Sequence, residues 1–243
     1  MNLEWSEMAK KNDSRVPTGI AGLDKLINGG FIKNSLNLVS GGAGSGKSIL
    51  CLQYIYAGVK EYDDNCLLIT FDENAESIRG DAMTFGWDLE ELEKSKKLKV
   101  LALQPFDSKD LKQDIEDAIT KHNVKRVVID SISVFSMAFK DDWYKLRKEL
   151  YRLSGFLKKM GCTVLVTAEV RGEVSLDVTA ASNPLTHDGV IEYVADAVMT
   201  LHNTGIGGDA DRAIRVVKMR RTNHRRDPVP MKITDKGIVV TDS

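Results

Sequence analysis

The chain has no apolar run near the roughly 20 residues that cross a bilayer, so no membrane-spanning helix is expected. Proline is scarce, at 5 residues in 243, and no low-complexity linker interrupts the sequence. Charge of one sign is missing too: 34 Lys and Arg face 35 Asp and Glu, for a net of −1. That balance excludes a disordered polyelectrolyte and a uniformly basic nucleic-acid coat. Cysteine is rare and odd in number. Cys51, Cys66 and Cys162 are widely spaced in apolar runs, which excludes a disulfide frame or zinc site and fits buried thiols in a reducing compartment. Residues 1–15 are polar and charged, unlike a secretory leader. No repeat of 20–50 residues is visible. What remains is a soluble cytoplasmic globular protein, long enough for one large domain or two small ones, with 42% hydrophobic residues to build a core.

Short β-rich apolar runs at 36–40, 66–71, 99–103, 127–130 and 163–167 alternate with helix-like segments at 47–60, 75–85, 111–122 and 142–160. In the last of these, Trp143, Leu146, Leu150, Leu153, Leu157 and Met160 step by three and four, giving one apolar stripe that reads as a helix packed on a sheet. The alternation predicts an α/β fold with a mainly parallel sheet flanked by helices on both faces. After about residue 195 strands follow without helices, at 197–201, 212–219, 229–233 and 237–240, predicting a small antiparallel C-terminal extension.

The first strand runs into Gly41, Gly42, Ala43, Gly44, Ser45, Gly46, Lys47 and Ser48, followed by Ile49 in a helix. This is G-x-x-x-x-G-K-[ST] in the strand–loop–helix setting the motif requires. Glycines let the backbone curl until successive N–H groups point at phosphate oxygens. Lys47 adds a charge near the β- and γ-phosphates, the helix N-terminus adds its dipole, and the Ser48 hydroxyl is a Mg²⁺ ligand. A nucleoside triphosphate and Mg²⁺ are therefore the expected ligands, and the resemblance below implies ATP. The strand at 127–130 ends in Asp130, a Walker-B pattern that predicts a carboxylate beside the metal, holding one of its waters. The strand at 66–71 delivers Asp72 and Glu73 at its carboxyl end. There a carboxylate can orient and deprotonate the water that attacks the γ-phosphate, or it can simply cap the following helix.

These features together resemble the KaiC-like branch of the RecA superfamily. Pro17-Thr18-Gly19-Ile20-Ala21-Gly22-Leu23-Asp24 with Gly29-Gly30 is similar to that family's lead-in to the phosphate loop, and Thr70-Phe71-Asp72-Glu73 stands where it carries a T-F-E-E carboxylate pair. Residues 218–224 are similar to K-L-R-G-T-x-H, and 233–238 to a closing I-T-D-x-G-I. The resemblance spans about residues 16–243 as a single RecA-like ATPase domain, leaving residues 1–15 as a tail. It implies an oligomer, a hexameric ring being favoured, with nucleotide bound between subunits. Lys218 and Arg220 would then reach the γ-phosphate held by a neighbouring chain, Arg220 as an arginine finger. Thr222, His224, Ile233 and Asp235 would line the same neighbouring wall, and Glu73 becomes the favoured base with Asp72 beside it. Strand period puts 218, 220 and 222 on one face of a strand.

The sequence departs from the family pattern in two places. Asp72 is one methylene shorter than the usual Glu, and Arg221 replaces the usual Gly. One ATPase unit is visible where the cyanobacterial clock protein has two, so clock function and autophosphorylation are not implied. The four-cysteine zinc module and protease-like domain of the bacterial RadA type are not visible either.

Residues 212–226 carry seven Arg and Lys and no acid. This patch admits three readings: a track for a nucleic-acid backbone, cations already assigned to ATP phosphates, or a solvated basic edge strand. It has no aromatic interleaving for a stacking platform, so nucleic acid is not favoured. A loop at 170–188 reads either as a partner-binding loop or as plain surface. Leu3 and Trp5 in the tail read as a dock on a neighbour or as a frayed end. The preferred function is an oligomeric Mg²⁺-dependent ATPase acting as a nucleotide-controlled assembly or regulatory switch. The alternative is an ATP-dependent single-stranded-DNA-binding recombination accessory protein.

Overall fold

The structure is a computed structural model that describes residues 15–103, 111–139, 142–170, 185–186, 189–203, 205 and 211–241. Residues 1–14 and most of 170–188, which carry the tail and loop readings above, lie outside the described residues. In chain order the elements are β1 (Arg15–Val16), α1 (Leu23–Leu26), β2 (Phe31–Ile32), β3 (Leu36–Gly41), α2 (Lys47–Lys60), β4 (Cys66–Thr70), α3 (Ala75–Met83), α4 (Leu89–Lys94), β5 (Leu98–Ala102), α5 (Leu111–His122), β6 (Arg126–Asp130), α6 (Ile132–Met137), α7 (Trp143–Lys159), β7 (Thr163–Glu169), α8 (Ile191–Val194), β8 (Ala197–Asn203), β9 (Arg212–Met219), β10 (Val229–Thr234) and β11 (Gly237–Val240).

Nine strands form one sheet in the order β11-β10-β9-β8-β3-β7-β6-β4-β5, and β1 pairs with β2 separately. From β8 to β5 every pair is parallel, whereas β9, β10 and β11 pair antiparallel, as the sequence pattern predicts. The central strand β3 is buried along its whole length, which explains its unbroken run of non-charged residues. Strand alternation divides the core in two. Val39, Leu68, Val128, Leu165 and Met199 face the side that α2, α3 and α4 cover. Leu38, Leu67, Val127, Val164 and Val198 face α5, α6 and α7. Along α7, Leu146, Leu150 and Leu157 are buried as expected, but Trp143 is 45% exposed because it is the first residue of the helix.

Two sequence expectations change. Arg15 is not part of a tail, since it pairs with Ile32 and its guanidinium donates to the carbonyls of Ile27 and Gly30. The basic strand β9 is not an edge: it lies between β8 and β10, and β11 and β5 are the edges. All three cysteines are buried, as their apolar contexts imply. Burial pushes the Cys66 thiol up to about 12 and the Cys162 thiol up to about 11.

One buried cation ties the lead-in segment to the sheet. Arg126, at the start of β6, is fully buried; its Nε donates to Asp64 Oδ2 at 2.7 Å and its Nη1 to the Pro17 carbonyl at 2.8 Å. Its guanidinium carbon sits 4.8 Å from the Tyr54 ring and 4.9 Å from the Tyr62 ring. Removing one partner of such a pair strands the other charge in a dry environment. Arg126→Ala is therefore expected to cost about 3–5 kcal/mol in urea or thermal unfolding.

Candidate nucleotide site at the carboxyl edge of the sheet

Because β3, β4, β6 and β7 are parallel, the segments that follow them meet at one edge. There they enclose a cavity of about 270 Å³ lined by Lys47, Ser48, Asp72, Glu73, Asp130 and Glu169, among others. The loop after β3 takes left-handed backbone at Gly44 (φ +68°) and Gly46 (φ +99°), which a Cβ would strain. Gly46 begins α2 without a side-chain cap, so the first N–H groups of that helix stay turned toward the loop. Lys47 Nζ donates to the Gly41 and Gly42 carbonyls at 2.9 and 3.0 Å. Burial lowers the Lys47 pKa, opposed by the carboxylates of Asp130, Glu169 and Asp72 nearby.

Asp130 ends β6, and the Thr167 hydroxyl of β7 donates to its Oδ1. Across the cavity, the Ser131 hydroxyl donates to Asp72 Oδ2 at 3.0 Å. Burial raises the Asp72 pKa, and Asp130 and Glu169 add to the rise while the Ser131 hydrogen bond opposes it. The N–H groups of Asp72 and Glu73 both point at Thr70 Oγ1, at 3.3 and 3.1 Å. The alternative in which this pair caps the next helix is not what the geometry shows. Asn74 is the N-cap of α3, its side chain accepting from the Ser77 N–H at 2.9 Å, while Glu73 Oε2 accepts from the Ser77 hydroxyl at 3.1 Å.

Glu169, Thr167 and Ser131 were missed by the sequence reading. The signal for Glu169 was present: another acid at the carboxyl end of a parallel strand. The run was closed at 167, however, whereas β7 continues to Glu169, whose N–H donates to Ser133 Oγ at 2.9 Å.

The remaining expected site residues fall into two groups. Ile233, together with Ile238 and Met231, lies 3.2–3.8 Å from where a Cβ on Gly46 would sit, so Ile233 abuts the phosphate loop of its own chain. Asp235 follows in the β10–β11 turn. Ile49 packs against the α2-side core. Lys218, by contrast, pairs through Val198 with Leu38, whereas Gly41 pairs through Leu201 with Ile214. A bulge at Val217 leaves the two positions three residues apart on β3, so Lys218 is about 10 Å down the sheet from Gly41, at about 3.3 Å per residue. Thr222 and His224 come later in the turn beyond β9. The expected common wall is therefore split, because β10 runs back up to the phosphate-loop edge that β9 has left.

The shared strand face for 218, 220 and 222 also fails, because β9 ends at Met219 and the chain turns. Lys218 Nζ donates to the Glu192 and Ala195 carbonyls at 3.1 and 2.7 Å, and burial lowers its pKa, with Arg220 adding to the fall. Arg220 Nη1 lies 3.7 Å from Asp196 Oδ1. Thr222 Oγ1 donates to the Arg220 carbonyl, and His224 Nδ1 is 3.0 Å from the Arg225 carbonyl. Arg221 sits at φ +54°, the left-handed conformation in which a glycine is at ease. In the basic patch, Arg215 Nε donates to the Arg226 carbonyl, and Arg212 and Arg225 reach Asp211 and Asp227, which flank the counted window. These ties give the patch an intramolecular role and do not favour a nucleic-acid track.

Comparison with known proteins follows the same lines. A family model described as "ATPase: KaiC" matches residues 16–243. The circadian clock oscillator protein KaiC of Acaryochloris marina is 34% identical over 245 residues, covering 94% of this chain and 45% of that protein. Its counterpart in Synechococcus elongatus is 35% identical over 236 residues, covering 93% and 44%. The chain spans about half the length of the curated relatives it matches. The crystal structure of a KaiC-like protein from Pyrococcus horikoshii has a TM-score of 0.82 and 32% identity, covering 95% of this chain and all of that one. No helix among the described residues is long and apolar enough to cross a membrane.

Two outcomes are expected. A carboxyl whose folded pKa is raised stabilises the fold below its ordinary pKa and loses that contribution as pH rises through the raised one. Asp72 is exposed enough for solvent to screen the effect, so Asp72→Asn should raise the melting temperature only slightly, by about 1 °C near neutral pH, and the gain should vanish near pH 3. Arg221→Gly should relieve the left-handed strain, offset by the freer unfolded chain, for a net gain of up to about 1 kcal/mol in chemical denaturation.

Proposed function

This chain belongs to the KaiC family of ATPases, and from that premise we propose that it is a Mg²⁺-dependent ATPase. In this reading its nucleotide site is completed in trans between subunits of a ring, a hexamer being favoured. The observation that carries the reading is the split of its cations. Lys47 stands at the cavity with Asp130, Asp72, Glu73 and Glu169, while Lys218 is level with the middle of β3 and Arg220 with its amino end. Cations so far from their own phosphate loop serve a nucleotide only if it belongs to another copy.

ATP phosphates sit on the N–H groups of residues 42–48, with Lys47 transferring its ammonium from the Gly41 and Gly42 carbonyls to phosphate oxygens. Mg²⁺ would fit the donor set, since Ser48 offers an oxygen ligand and Asp130 a carboxylate for one of its waters. Bound Mg²⁺ neutralises charge on the β- and γ-phosphates. Thr167 holds Asp130 in one orientation. Glu73, exposed at the cavity mouth, is the base that takes the proton from the attacking water. Asp72, engaged by Ser131, fixes the geometry beside it. Arg220 of the next subunit leaves Asp196 to meet the charge developing on the transferred phosphoryl group. Nucleotide state then controls how firmly neighbours are joined, which makes the ring a switch.

The test is the Mg²⁺-dependent ATP hydrolysis rate per subunit over a range of protein concentrations. It should rise with concentration and level off. Glu73→Gln should bind ATP and lose about 100-fold or more in rate. A concentration-independent rate would remove the trans reading, and wild-type turnover by Glu73→Gln would remove the base.

A further inference from the structure

Helix α7 buries Leu146, Leu150 and Leu157 and turns Tyr144, Arg147 and Tyr151 outward, three and four residues apart. Tyr144 is 81% exposed, Tyr151 49%, and Tyr193 on the adjoining α8 64%. Arg147 bridges the two helices: its guanidinium carbon is 5.8 Å from the Tyr151 ring centre and 5.6 Å from that of Tyr193. Two exposed rings on one arginine, with a third exposed tyrosine one turn away, have the composition of an interface hot spot, not of an ordinary solvated helix face. The strip is continuous with the trans cations, because Lys218 is anchored on the carbonyls of Glu192 and Ala195, which flank Tyr193.

We propose that Tyr144, Arg147, Tyr151 and Tyr193 form the surface by which one copy of this chain docks on the acidic rim of the next copy's nucleotide cavity, along α3. The inference rests on the trans reading above. If Lys218 and Arg220 reach the next copy's phosphates, the helices beside them must meet that copy's cavity rim. The charges are complementary. Residues 143–159 carry six Lys and Arg against one Glu, whereas residues 72–93 carry eight Asp and Glu against one Arg. Within the subunit Glu90, Glu91 and Glu93 are paired on the acidic side, and Arg152 with Glu149 and Lys158 with Asp196 on the basic side, which leaves Lys145, Arg147, Lys148 and Lys159 as the cations not in these ion pairs. Glu76 and Asp81 are the exposed α3 carboxylates turned to the next copy, Asp81 lining the cavity itself. Because the two surfaces differ, the contact is head-to-tail, the kind that generates closed rings. A strip of tyrosines and cations also suits stacked bases of a single nucleic-acid strand. A second copy is favoured because the chain carries the complementary surface itself.

Two variants of the full chain, Arg147→Glu and the double variant Tyr151→Ser with Tyr193→Ser, test this in sedimentation with ATP and Mg²⁺ at low and high salt. Both should need roughly tenfold or more protein for half-assembly, and wild-type assembly should weaken with salt. Melting temperature and nucleotide binding by the dissociated subunit should stay at wild-type values, since the substituted side chains are exposed. Mixing Arg147→Glu with Lys47→Ala should restore hydrolysis, because the first supplies an intact cavity and the second an intact strip. Wild-type assembly by both variants, with Arg220→Ala still inactive, would overturn the docking surface and leave the trans reading standing. A wild-type chain that stays monomeric at a constant specific rate would overturn both. Binding of an oligo(dT) strand that either variant abolishes, with assembly unchanged, would assign the strip to nucleic acid and overturn the proposal.

Discussion

Parallel pairing of β3, β7, β6 and β4 is the constraint on which the rest of the molecule depends. Parallel strands joined by crossover helices all discharge their chain at one edge, so a phosphate loop, a metal-type carboxylate and two further acid-bearing segments converge without any of them being close in sequence. The register sharpens this. Thr70 lies opposite Asp130, and β7 carries Thr167 to within a hydrogen bond of the same carboxylate. A one-residue slip in any of these strands would turn Asp130 or Thr167 to the wrong face. The buried runs of valine, leucine and isoleucine that hold the register therefore also aim the polar ends.

The same arrangement explains why charge at the cavity is less evenly compensated than around Arg126. Arg126 at the opposite end of β6 is buried with a carboxylate, a carbonyl and two aromatic rings around it, each compensating its charge. At the carboxyl edge, one lysine faces several carboxylates in a half-enclosed space, and burial works against both signs. Negative charge is the dominant local excess.

What could be read from the sequence divides along physical lines. The phosphate loop, Asp130 and the strand–helix alternation were legible because each is written in a local pattern: glycine spacing, an acid closing an apolar strand, a period of two or of three and four. Glu169 was less legible because the end of a buried strand is decided by tertiary pairing, and an alanine before the acid masked the continuation. Ile233 and Lys218 could not be sorted to opposite edges of the sheet from sequence, since that depends on β10 reversing along β9. Arg221 looked like an extra cation, yet its backbone angle shows that the position is about conformation, which side-chain chemistry does not reveal. Trp143 matched the helical period and still faces water, since periodicity continues to a helix end where the sheet no longer covers it.

The burial of every cysteine has a practical corollary. Cys51, Cys66 and Cys162 are closed off, and burial holds each thiol protonated across the physiological range. The native chain is consequently a quiet background for thiol chemistry. A single cysteine introduced at an exposed position would be the dominant reactive sulfur in the folded protein. Fluorophores or spin labels could then be attached without first stripping the natural cysteines.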